Sequence, residues 1–162
     1  MRLIFSFKKL LLSAIILIIF SCNKKSDLDD NTCDIFYLGA DLSYVNEMED
    51  CGAIYKNSEN EETDVFEIFE NAGTNLIRVR LWHNPTWTNY SNLSDVKKTI
   101  QRIKNNNMNV LLDFHYSDTW ADPTKQEIPL AWESNLNNDS ILGDLLYNYT
   151  YSTLSDLNNL EF

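Results

Sequence analysis

The chain has 162 residues, with 13 Lys plus Arg against 24 Asp plus Glu and a net charge of -11. That acidity excludes an Arg/Lys-rich nucleic-acid footprint, and 44% hydrophobic content excludes a disordered chain. Three cysteines without C-x-x-C spacing exclude a zinc ribbon and a disulfide scaffold, and two histidines, His83 and His115, leave little for a His-rich metal site.

Residues 1–21 have the pattern of an export signal. Arg2, Lys8 and Lys9 form a basic start, and Leu10 to Phe20 is apolar except for Ser13. That core is shorter than the roughly 20 apolar residues of a membrane-spanning helix. It ends in Ile19-Phe20-Ser21-Cys22, which resembles a bacterial lipobox. The resemblance implies lipidation at Cys22 and an exported lipoprotein held at a membrane, at the outer membrane or cell surface. An uncleaved N-terminal anchor has the same basic flank and apolar core. Residues 22–34 read as a tether, polar and without apolar period, with Asp27, Asp29 and Asp30 as an acidic run. The domain follows over 35–162. Outside the cytoplasm Cys33 and Cys51 could close a short disulfide loop or remain two thiols, since spacing alone does not set the Cα separation.

The domain repeats a strand-helix unit. Ile35 to Ala40 is the first strand, ending at Gly39-Ala40-Asp41, and Ser43 to Cys51 is a short helix or turn closed by Gly52. Asn57 to Glu62 is a polar loop. Thr63 then caps a helix with Asp64 in its first turn, Val65, Ile68, Phe69 and Ala72 as its apolar stripe and Gly73 at its end. Leu76 to Trp82 is the second strand. Ser94 or Asn92 caps the next helix, whose buried face is Val96, Ile100 and Ile103. Val110 to Phe114 is the third strand. A long loop from Tyr116 to about Asn138 leads to a last helix from about Ser140 to Leu160. The order implies a parallel sheet with right-handed crossovers, and the long loops fall after the strand C-termini, where α/β folds carry their sites.

Side chains alternate along a strand. Ile77, Val79 and Leu81 share one face of the second strand, and Arg78, Arg80 and Trp82 the other. In the third strand Leu111, Asp113 and His115 share the face opposite Val110, Leu112 and Phe114. Such charged groups inside a sheet cost several kcal/mol each unless paired or wet. A polar site at the strand ends explains them, and an Arg-Asp network holding strands in register is the structural alternative. No G-x-G-x-x-G or G-K-[ST] supports nucleotide binding, and no G-x-S-x-G supports a nucleophile-elbow hydrolase. Asp113-x-His115 with Asp118 is a poor metal set because strand parity splits off Asp118; no metal and no cofactor is expected. Trp82, Trp87, Tyr90, Tyr116, Trp120 and Trp132 lie on the side of the strand C-termini, and flat rings near polar groups suit sugars.

Phe114-His115-Tyr116-Ser117-Asp118-Thr119-Trp120-Ala121-Asp122-Pro123, with Gln126 and Ala131-Trp132, resembles glycoside hydrolase family 53. Leu38-Gly39-Ala40-Asp41-Leu42-Ser43 and Arg78-Val79-Arg80-Leu81-Trp82 with Asn84-Pro85 resemble its first and second strands, in register from about Tyr37 to Trp132. The family comprises endo-β-1,4-galactanases acting on galactan and arabinogalactan. The resemblance implies an α/β fold, the N-terminal three βα units of a TIM (β/α)8 barrel truncated before strand 4. It also implies retaining hydrolysis by two glutamates, an acid/base after an Asn at the end of strand 4 and a nucleophile at the end of strand 7.

By the same resemblance Arg78 would orient the nucleophile, and His115 would line the subsite beside the cleaved bond. Asp41, Trp82, Tyr116, Asp118 and Trp120 would be candidates for the galactan cleft, with Arg80 and Asp113 supporting them. The chain departs from the family in having no Asn-Glu at a strand end; Glu127 and Glu133 lie in the loop after strand 3. The expectation is an enzyme fragment that is inactive alone and folds poorly, since three strands leave an open edge and a barrel needs about 250 residues. A catalytically dead, lipid-anchored galactan-binding remnant, or a pseudogene product, is the alternative.

Overall fold

A computed structural model describes residues 35–158. The expected leader over 1–21, the tether over 22–34, lipidation at Cys22 and the pairing partner Cys33 lie outside the described residues. Cys51 is exposed.

Three strands form one parallel sheet in the order β1-β2-β3, with β1 at Gly39–Asp41, β2 at Leu76–Trp82 and β3 at Asn109–His115. Helix α1 spans Val45–Asp50, α2 Val65–Asn71, α3 Leu93–Asn105 and α4 Asp139–Asn158. β2 is central and pairs with β3 along its whole length, from Leu76 opposite Asn109 to Trp82 opposite His115.

β1 is shorter than its β-forming residues predict. The Asn75 side chain accepts from the Leu38 backbone N–H and donates to the Phe36 carbonyl, so this polar plug replaces the ladder before Gly39. The first helix likewise starts at Val45 rather than Ser43, because Ser43 is committed to Asp41. Asp64, not Thr63, caps α2: its carboxylate accepts from the Phe66 N–H at 2.8 Å. Past that helix Gly73 adopts φ +89°, a left-handed turn that glycine enters without a Cβ penalty, and the chain reverses into β2. Asn92 rather than Ser94 caps α3, accepting from the Asp95 N–H at 3.0 Å. The loop after β3 contains a short 3-10 helix at Leu130–Asn135 that periodicity does not reveal.

One face of the sheet is the core. Ile77, Val79 and Leu81 from β2 meet Val45, Val65, Phe66, Val96, Ile100, Ile103 and Leu157 from the helices. Val110, Leu112 and Phe114 of β3 pack against the same cluster. α1, α2 and α3 are further joined by Arg102. It donates twice to Glu49, at 2.6 and 2.8 Å, and to Asp64 and Asn46, both at 3.0 Å. Burial alone would lower the Arg102 pKa, but the hydrogen bonds from Glu49 and Asp64 outweigh it and raise it. Buried Asn46 is fully used, donating to Asp95 and Thr99 as it accepts from Arg102.

On α4 the residues turned inward are Leu142, Leu145, Tyr149, Thr153 and Leu157, while Ile141 and Leu146 are exposed. No helix among the described residues is long and apolar enough to cross a membrane.

Phe66 is fully buried, whereas Tyr147 is 64% exposed. Phe66→Ala is expected to lower stability by about 3–5 kcal/mol, and Tyr147→Ala to stay within about 0.5 kcal/mol. Urea unfolding followed by circular dichroism measures both, and equal losses would place the core elsewhere.

Candidate functional site

The opposite face of the sheet carries the charges, gathered at the C-terminal ends of the strands. Asp41 stands beside Arg78 in the β1–β2 register, and Arg80 stands beside Asp113 in the β2–β3 register. Arg78 bridges the sheet: Nη1 donates to Asp41 Oδ2, and Nη2 to Asp113 Oδ2. Asp113 lies two positions beyond Leu111, the register partner of Arg78, so the arginine leans toward the strand C-termini. His115 Nε2 stands 3.0 Å from the same Asp113 oxygen, so the neutral ring carries its proton there and leaves Nδ1 as the acceptor. Among the described residues Nδ1 is buried and has no hydrogen-bond partner.

The side chains of Arg78, Asp41 and Asp113 are 38%, 42% and 31% exposed. Ion pairs this open contribute only about 0–1 kcal/mol, so the network adds little stability and chiefly sets orientation. Asp41 Oδ1 is held by Ser43, through its backbone N–H at 2.9 Å and its hydroxyl at 2.6 Å. Burial alone would raise the Asp41 pKa. The Ser43 hydrogen bonds and the Arg78 guanidinium overcome that and hold it below the ordinary value.

Beside this network lies an aromatic cluster built around Arg80, which is 3% exposed. Its guanidinium carbon sits 4.1 Å from the Trp120 ring centroid, 4.3 Å from Trp82 and 4.8 Å from Tyr44. Ser91 Oγ accepts from Nη2 at 3.1 Å, and the Arg80 backbone N–H donates to Ser43 Oγ at 2.9 Å. Burial pulls the Arg80 pKa down, yet a guanidinium stays charged at neutral pH. Ring faces therefore take the place of a carboxylate, each contact contributing about 0.5–2 kcal/mol.

Trp82 packs at 5.0 Å from Trp87 and 5.1 Å from Trp120. Trp82 itself is buried and supports Trp120 and Trp87, whose rings are exposed.

Two more candidates for the cleft also hold the structure together. Tyr116 lies on the helix side of β3, because it shares parity with Phe114. It stacks on that ring and its hydroxyl meets Thr150 of α4 at 2.9 Å. The Asp118 carboxylate accepts from the Asn84 N–H at 2.8 Å and the Leu130 N–H at 2.9 Å, clamping the loops after β2 and β3 together. His83 Nδ1 lies 3.3 Å from Asp118, with its ring against Trp132 and Tyr149. Burial in this cluster pushes the Tyr149 hydroxyl up to about 12. Trp132 is buried here as well, while Glu127 and Glu133 are exposed on the loop. Tyr44, Ser43 and Ser91 complete the site without having been foreseen. Tyr44 shared the signal of the others, an aromatic residue just past a strand C-terminus.

The model of glycosyl hydrolase family 53 matches residues 37–161. The chain belongs to that family. The arabinogalactan endo-beta-1,4-galactanase of Cellvibrio japonicus is 52% identical over 154 residues, covering 95% of this chain and 39% of that protein. The endo-beta-1,4-galactanase of Bacillus subtilis is 40% identical over 129 residues, covering 75% of this chain and 30% of that protein.

Among solved structures, a fungal beta-1,4-galactanase superposes with a TM-score of 0.71 at 39% identity, over 77% of this chain and 36% of that one. The family 53 catalytic domain of Ignisphaera aggregans gives 0.69 at 33%, over 76% and 36%. The chain thus spans less than two fifths of these relatives, and its three parallel βα units are part of a family 53 TIM barrel.

Because the folded Asp41 pKa is depressed, its contribution to stability is present above the unfolded pKa and is lost as pH falls through the folded one. Stability is expected to fall as pH drops below the ordinary 3.8 of Asp41, and Asp41→Asn should flatten that acid limb. Urea midpoints measured from pH 6 down to pH 2.5 check this; parallel curves for the two proteins would exclude Asp41 as a source.

Proposed function

We propose that this protein is an endo-acting glycoside hydrolase of β-1,4-galactan and arabinogalactan, working by double displacement. Two glutamates on strands of the barrel beyond these 162 residues would act as acid/base and nucleophile, about 5–5.5 Å apart. The observation that supports this most is the joining of Arg78, Asp113 and His115 into one hydrogen-bonded chain beside exposed Trp120, at the C-terminal end of a family 53 sheet. Arg78 would hold the nucleophile carboxylate ionised and oriented. His115 would line the subsite beside the cleaved bond, and Trp120 would stack on a pyranose ring. Asp41 would share the charge of Arg78 and keep its fork in place.

A second reading is favoured by one feature: the inner faces of β1, β2 and β3 carry aromatic and charged groups but no glutamate. These 162 residues would then bind galactan without cleaving it. The 162-residue chain is expected to hydrolyse galactan at background rate, and the full-length gene product to lower galactan viscosity faster than reducing ends appear. Hydrolysis by the short chain, abolished by Glu127→Gln, would overturn the first expectation. Galactan-dependent tryptophan quenching of a sharply melting short chain would support the binding reading.

We further propose that the mature protein is a lipoprotein anchored through Cys22, on the strength of the basic start, the apolar core and the Ser21-Cys22 end. Labelled palmitate is expected in the membrane-associated protein and absent from Cys22→Ser. Equal labelling of both would rule this anchor out.

A further inference from the structure

We propose that Trp87 forms a further galactan subsite, a stacking platform next along the chain from Trp120; the proposal rests on the galactanase reading above. Trp87 is 55% exposed, more than Trp120 at 41%. It is nevertheless held in place. Its Nε1 donates to the Asp118 carbonyl at 3.0 Å, and its ring packs 5.0 Å from buried Trp82. Asp118 is itself fixed by the Asn84 and Leu130 backbone N–H groups. An exposed indole immobilised at its N–H and one side is preorganised, so a ligand that stacks on it loses little further side-chain freedom. With the N–H occupied, what Trp87 offers is ring face.

The neighbouring surface supplies the polar half of a sugar site. An open depression of about 410 Å³ combines polar Asn84, Thr86, Thr119 and Glu133 with apolar Ile128 and Leu130. A pyranose presents an apolar C–H face and a rim of hydroxyls. A fixed ring beside hydroxyl, amide and carboxylate groups matches both at once. Trp82 lies between Trp87 and Trp120, 5.0 Å from one and 5.1 Å from the other. The two exposed rings are therefore no farther apart than the sum of those distances, within one oligosaccharide's reach. Trp87 thus extends the aromatic surface that Trp120 and Tyr44 begin, and the ligand it adds is another stretch of the same polysaccharide.

The test compares full-length gene product on long β-1,4-galactan and on β-1,4-galactotriose. Trp87→Ala is expected to raise KM on the polymer about fivefold, the loss of one aromatic contact, with a smaller rise on galactotriose, whose three units can also bind without reaching Trp87. Trp120→Ala should raise KM on both substrates. Trp87→Phe keeps a ring but loses the Nε1 hydrogen bond. It should retain most polymer affinity while the galactan-dependent fluorescence quenching loses the Trp87 component, a readout that serves if the alanine variant does not fold. Unchanged polymer KM in Trp87→Ala, equal changes on polymer and triose, or undiminished quenching in Trp87→Phe would overturn the subsite alone. A wild-type protein that neither cleaves nor binds galactan of either length would overturn the galactanase reading and the subsite with it.

Discussion

Everything in this part of the barrel depends on the two-sidedness of β2. Alternation along Leu76–Trp82 sends Ile77, Val79 and Leu81 into the helical core and Arg78, Arg80 and Trp82 to the other side. The apolar set anchors all four helices to one face. The polar set can then be held at the strand C-termini by its neighbours, with Asp41 from β1 and Asp113 from β3 meeting one guanidinium. A shift of one residue in the register would exchange the two sets and place two arginines in the core.

The two arginines solve the same electrostatic problem in opposite ways. Arg78 stays partly in water and shares two carboxylates, which leaves a charge that a reacting group could use. Arg80 is removed from water and is surrounded by rings, with one hydroxyl as hydrogen-bond partner. The first arrangement suits chemistry and the second suits architecture: the buried cation draws Tyr44, Trp82 and Trp120 together from three separate segments. Trp120 and Tyr44 are left partly exposed beside the Arg78-Asp113-His115 chain, as an amphipathic ligand requires.

The apolar surface that remains uncovered follows from the same geometry. Leu111 on the inner face of β3 is 49% exposed, and Tyr147, Tyr151 and Leu154 line the outer side of α4. Among the described residues β3 has a hydrogen-bonded neighbour only in β2. In a closed barrel further strands and helices cover such surfaces, and the related galactanases have more than twice the length matched here.

The sequence by itself determined the order of strands and helices, the parity of β2 and β3, the two arginines, the aspartates and His115 on the inner face, and the family. These are local or periodic properties, written in alternation and in a long contiguous motif from Phe114 to Pro123. Which aromatic residues stay exposed was decided in the tertiary structure. Trp82, Trp132 and Trp120 look alike in sequence, yet the first two are buried and the third is open, because their surroundings come from distant segments. It also decided that Asp118 clamps two loops, that Tyr116 turns to Thr150, and that Asn75 cuts β1 short. Each depends on a backbone or side-chain group that folding brings near from more than ten residues away, and no local pattern records such a meeting.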